Sequence, residues 1–103
     1  MDTFLKNPHP GDILRKDFMD EMMLSQNALA KSLEVPANRI NEIIRGRRKI
    51  TADTDLRLCK FFGLSEGYWL RLQNAYDLME AHRLSDKIID RIQPFNNACN
   101  ISI

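Results

Sequence analysis

The chain lacks most of the features that assign a function quickly. It has two cysteines in 103 residues, Cys59 and Cys99, too few for a disulfide framework, so a reduced, cytoplasmic protein is expected. Cys59 falls on the apolar side of a helical stretch and reads as a small buried hydrophobe. Apolar runs are only a few residues long, so no membrane span is expected. The opening MDTFLKNPHPG has no apolar signal core. No β alternation persists, and there is no internal repeat or low-complexity tract. No acid stands near a His, Ser or Cys at a spacing that suggests catalysis, and no phosphate loop exists, so an enzyme is not expected. His9 has no partner at ligand spacing, so neither a metal nor another cofactor is expected.

What is present fits one small domain with an ordinary apolar fraction of 44%, enough for a packed core. Net charge is +1, which by itself says nothing about partners. Its distribution says more. Residues 39–49 hold Arg39, Arg45, Arg47, Arg48 and Lys49 against Glu42. Residues 12–21 hold Asp12, Asp17, Asp20 and Glu21 against Arg15 and Lys16. A basic stripe on one side of a near-neutral protein is an electrostatic footprint for nucleic acid.

The stripe adjoins residues 25–45, SQNALAKSLEVPANRINEIIR, which read as two short helices and a tight turn. Ser25 suits an N-cap, and Leu24 and Leu29 have staple spacing. Ala28, Leu29 and Leu33 form the expected inward stripe. Pro36 biases Val35 towards extended geometry and breaks the helix. Ile40, Ile43 and Ile44 are the buried side of the second helix, and Gly46 ends it in a left-handed conformation. Such a pair is a helix-turn-helix unit, whose second helix lies in the DNA major groove. Its outward face carries Ala37, Asn38, Arg39, Asn41, Glu42 and Arg45. Asn can pair bidentately with adenine and Arg with guanine, and Glu can accept from cytosine. An ordinary solvated helix face would favour Glu/Lys pairs four residues apart, not two Asn, which are poor helix formers. The following Arg47, Arg48 and Lys49 are placed to neutralise phosphates.

The remaining chain frames this unit. Residues 1–9 are an irregular lead-in. His9-Pro10-Gly11-Asp12 opens a helix whose inward stripe is Ile13, Leu14, Phe18 and Met22. Thr51 caps the next helix, with Asp53 and Asp55 near its positive end and Leu56, Cys59 and Phe62 inward; Gly63 closes it. Ser65 is expected to cap a fifth helix, with Leu64 and Trp69 again at staple spacing. Trp69, Leu72, Tyr76 and Met79 line one side of it. Tyr68, Leu70, Ala75 and Leu78 widen its apolar surface, which then needs more than one partner surface. A homodimer interface at Trp69, Leu72, Tyr76 and Met79 is expected, against the simpler reading that the helix fills the core. Residues 84–93 read as a last short helix capped by Ser85, with Ile88, Ile89 and Ile92 on its apolar side and Pro94 as its stop. The tail beyond has turn formers and no periodicity. The expected division is therefore a lead-in at 1–9, a DNA-binding and dimerisation domain at 10–82, and a short helix with a tail at 83–103.

HPGDIL (9–14), LSQNALA (24–30), VPANRINEI (35–43), Gly46, ITADTDLRL (50–58), Phe62-Gly63, YWLRLQ (68–73) and AYDL (75–78) together resemble the HigA antitoxin family, also called virulence-associated protein I, within the Xre/Cro-like repressors. The resemblance spans roughly residues 8–82. It implies an all-α, five-helix Xre or lambda-repressor-like domain, dimerised through its C-terminal helices, on a palindromic operator in double-stranded DNA of its own promoter. It also implies a RelE-like toxin partner of the HigB type. By the same resemblance Gln26 contacts phosphate or base, Asn38, Arg39 and Glu42 face base edges beside Ala37, and Asn41, Arg45 and Arg47 face the backbone. Two rival functions are a protein-interaction module that mainly sequesters a toxin, and a stand-alone Xre-type regulator without one. One departure stands out: relatives commonly have Gly where this chain has Glu34. A left-handed Glu34 would cost roughly 1–2 kcal/mol.

Overall fold

The computed structural model describes residues 7–95. Five helices are present and, among the described residues, no strand. Most of the lead-in, Cys99 and residues 96–103 lie outside the described residues.

Helix α1 begins as an α-helix at Pro10–Ile13 and continues as a π-helical stretch, Leu14–Met19. Pro10 occupies the first helical position as expected, and His9 caps it, Nδ1 accepting from the Gly11 amide at 3.0 Å. The wide turn corrects the inward stripe. The Asp20 amide reaches back five residues to the Arg15 carbonyl at 2.8 Å, so residues five apart share a face. Leu14 and Met19 are buried together, while Met22, expected inside, is 54% exposed.

Helix α2, Gln26–Leu33, starts at Ser25, whose hydroxyl accepts from the Ala28 amide at 3.0 Å. Its inward face is Leu29, Ala30 and Leu33. Ala28 is exposed, because that face is turned by one residue towards α3 and α4, its packing partners. Glu34 ends the helix left-handed, at φ 59°. Helix α3, Ala37–Ile44, buries Ile40 and Ile43 with Ile44 packed beside them, and Gly46 follows at φ 76°.

Helix α4, Ala52–Phe62, has Thr51 at the N-cap position without a side-chain hydrogen bond, and Gly63 closes it at φ 73°. Its buried face is Thr54, Asp55, Leu58 and Cys59; Leu56, expected inside, is 47% exposed. A carboxylate can occupy this face because it is saturated with donors. Asp55 accepts from the amides of Gly67 at 2.7 Å, Trp69 at 2.8 Å and Leu70 at 3.2 Å.

These donors are the first turn of α5, Tyr68–Ile89, so the helix is capped by a side chain from α4. Ser65 does not cap it; its carbonyl accepts from the Tyr68 amide. The helix also runs straight through Ser85, correcting the expectation of a separate short helix at 84–93. Nothing breaks the backbone there, and the His82–Asp86 contact at 2.7 Å bridges the turn next to Ser85. At the centre of the core lies Trp69, fully buried, with Phe18 at 5.0 Å and Tyr68 at 5.2 Å between ring centroids. Among the described residues no helix is long and apolar enough to cross a membrane.

Candidate nucleic-acid interface

Helix α3 has one side in the core and the other on the surface. With Ile40 and Ile43 buried, Ala37, Asn38 and Arg45 are exposed, and Arg39, Asn41 and Glu42 are partly so. The loop that follows carries Arg47, Arg48 and Lys49, all exposed. Amide and guanidinium donors and further cations therefore occupy one continuous stretch of the chain's surface.

The tertiary structure places α3 through close contacts that backbone geometry makes possible. A Cβ at Gly11 would collide with the Ile43 carbonyl, so only glycine lets α1 approach α3 this closely. Gly46 lies against the His9 ring, where an added Cβ would meet Nε2 at 3.0 Å. Gln26 on α2 and Asn41 on α3 join through their side chains, Asn41 Nδ2 donating to Gln26 Oε1 at 3.1 Å. Both are partly buried, and each retains further hydrogen-bonding capacity.

Several charged side chains here already have partners. Arg48 donates through Nε to Glu42 Oε1 at 2.8 Å, with Nη2 at 2.6 Å from the same oxygen. Glu42 is thus engaged by a cation of the loop that follows α3. Lys49 Nζ lies 3.4 Å from Asp77. Arg39 donates to Asp53 at 2.8 Å. Arg45 and Arg47 form no ion pair among the described residues.

Four residues make contacts here that carried no signal in the sequence. Gln73 on α5 is buried; its Oε1 accepts from the Ile50 amide at 2.9 Å and its Nε2 donates to Asp77 at 3.1 Å. It ties the end of the basic loop to the core. Arg57 and Asp53 on α4 bind the turn and Arg39, and His9 backs Gly46. All act across elements, so no local spacing reveals them. The expected dimer residues separate. Trp69 is fully buried within its own subunit and has no surface to offer a second one. Leu72 and Tyr76 are partly buried, and Met79 is exposed.

This architecture matches known proteins. Residues 16–69 match the helix-turn-helix family model. Virulence-associated protein I of Dichelobacter nodosus is 46% identical over 95 residues, covering 92% of this chain and 88% of that protein. The Pseudomonas aeruginosa antitoxin HigA, solved with higBA promoter, superposes with a TM-score of 0.83 at 40% identity, over 87% of this chain and 99% of that one. A HigA-family addiction module antidote protein from Coxiella burnetii gives 0.82 at 45% identity, over 87% and 99%. On this combination of matched sequence and matched fold, the chain belongs to the HigA antitoxin and virulence-associated protein I family of helix-turn-helix proteins.

Proposed function

We propose that this chain is a sequence-specific DNA-binding repressor that acts as a homodimer and lays residues 37–45 of each subunit in a major groove. The observation that carries this reading is the two-sided α3. Its isoleucines are in the core, while Ala37, Asn38 and Arg45 are exposed beside Arg47, Arg48 and Lys49. Ala37, Asn38, Arg39 and Glu42 read base edges; Gln26, Asn41, Arg45, Arg47, Arg48 and Lys49 set register on the backbone. The P. aeruginosa relative, solved with its promoter, supports the choice of partner. Dimerisation through α5 is supported by its exposed Leu78, Met79, Leu84, Ile88 and Ile89. Two recognition helices then stand about one helical turn apart, roughly 34–36 Å, on a palindromic operator.

The test is binding of the purified protein to its own upstream DNA and to a scrambled duplex at two salt concentrations. The four basic residues Arg45 to Lys49, doubled in a dimer, give a slope of log K against log salt of about −7 if all reach phosphates. Operator binding that stays tighter than binding to the scrambled duplex at both salt concentrations supports the repressor. Weak, equal binding to both duplexes refutes it and reduces α3 to a solvated face.

The antitoxin role, with a RelE-like toxin of the HigB type as partner, is the second half of the proposal. It is favoured by relatives that are antitoxins and an addiction module antidote. Co-expression with the product of an adjacent small gene tests it. A stable complex and rescued growth support it; growth arrest unrelieved by this chain refutes it.

A further inference from the structure

Asp53 stands on the first turn of α4, off the DNA-reading helix, yet one of its oxygens serves two guanidiniums. Oδ2 accepts from Arg39 Nη1 at 2.8 Å and from Arg57 Nε at 3.0 Å. Arg57 is itself held. Its Nη1 donates to the Leu33 carbonyl at 2.8 Å and to the Glu34 carbonyl at 3.3 Å. Those carbonyls close α2 at the left-handed turn that leads into α3. A chain of contacts therefore runs from the turn through Arg57 and Asp53 to Arg39.

We propose that Asp53 is a positioning residue for base readout, restraining the Arg39 guanidinium through a carboxylate that Arg57 anchors to the helix-turn-helix turn. This rests on the reading of α3 as the DNA-reading helix. The argument is geometric. A guanidinium presents five N–H donors in a rigid fork. With Nη1 committed to Asp53, the coplanar donors on Nε and Nη2, on another edge of the group, stay free. They are then aimed as a pair, as the bidentate contact to guanine O6 and N7 requires. A long, unrestrained arginine on a surface helix would lose rotamer freedom when it binds a base; one already held loses less. The Arg39 side chain is only 27% exposed, consistent with a restrained rather than a solvated arginine.

Stability does not account for this arrangement. The Asp53 side chain is 56% exposed, and exposed ion pairs contribute little to folding. The hydrogen bond from Arg39, followed by that from Arg57, holds the Asp53 carboxyl below the usual carboxylate range. It thus remains an ionised acceptor at neutral pH.

The experiment measures affinities of the full chain for a panel of upstream duplexes carrying each of the four base pairs at every position facing α3. The wild type, Asp53→Ala, Arg39→Ala and the double variant are compared, with melting and salt slope recorded for each. A bidentate arginine–guanine contact discriminates its base by about 5- to 150-fold. Asp53→Ala is expected to lower that discrimination at one position by at least about 5-fold, with the salt slope and melting temperature little changed. Arg39→Ala is expected to abolish it, and the double variant to lose nothing more. Asp53→Ala with wild-type discrimination overturns the proposal while the repressor reading stands. So does a loss spread equally over all duplexes, which would make the pair merely electrostatic. A wild type that binds every duplex equally overturns the repressor reading itself, before any variant is compared.

Discussion

Replacing Asp55 by alanine tests the account of how α4 and α5 are joined. The buried carboxylate accepts from the Gly67, Trp69 and Leu70 amides at 2.7, 2.8 and 3.2 Å. Two of these bonds are short, and the third is weaker. A hydrogen bond to a charged group contributes about 1.5–3 kcal/mol, and a buried donor left without an acceptor costs about 1–3 kcal/mol. The two strong bonds alone therefore amount to about 3–6 kcal/mol. Removing the carboxylate also relieves the penalty of burying a charge, which offsets part of this. A net loss of about 3 kcal/mol results, above the 0.5–2 kcal/mol typical of a solvent-facing cap. For a domain of about 100 residues this lowers the melting temperature by about 12–24 °C. Asp55→Asn should fall between wild type and alanine, because it keeps the shape and an acceptor oxygen but turns a donor towards the amides. The assay is thermal and urea unfolding followed by far-ultraviolet circular dichroism at one protein concentration, since any dimer makes the midpoint concentration-dependent. A loss below about 1 kcal/mol for Asp55→Ala would refute the reasoning. It would mean that the α5 amides find other acceptors.

Glu34→Gly should stabilise the fold. Removing left-handed strain of about 1–2 kcal/mol, less the greater unfolded-state entropy of glycine, leaves a gain of about 1 kcal/mol, read as a higher urea midpoint; an unchanged or lower midpoint would contradict it. Arg48→Ala should weaken binding to every DNA sequence and reduce the salt slope by about one unit per subunit. An unchanged slope would take the 47–49 loop out of the interface. Cys59 should resist a thiol reagent in the folded Cys99→Ser variant and react on unfolding. Burial pushes its thiol up from the ordinary value of 9.0, and the Asp55 carboxylate adds to the shift. A group raised on folding stabilises the fold fully below its unfolded value. That contribution is lost as pH rises through the folded value, so stability should fall above about pH 9. Rapid labelling of the native variant at neutral pH would refute the burial argument.

The sequence by itself determined what depends on neighbours a few residues apart. The Ser25 cap, the isoleucine face of α3, the left-handed glycines at 46 and 63 and the two-helix unit are local, and hydrophobic spacing with capping chemistry makes them legible. The polar side of α3 and the basic run after it were legible for the same reason. Met22 departs from the expected stripe because a π-helical turn changes the phase, and no propensity marks where one occurs. Leu56 was misplaced because a polar residue, Asp55, holds an inward position that hydrophobicity assigns to an apolar neighbour. Ser85 resembles a cap because a serine before an apolar group looks the same inside a helix as at its start.

Only the tertiary structure decided how the elements meet. It put Trp69 at the core of a single subunit, made Asp55 the cap of a helix twelve or more residues away, and linked Asp53 to Arg39 across fourteen positions. Each depends on packing between helices distant in sequence. A carboxylate near the start of α4 carries no mark of whether it faces water, another helix's amides or an arginine of α3. The physical reason is that capping and ion pairing act through space over about 3 Å, whereas periodicity records only which face of its own helix a residue occupies.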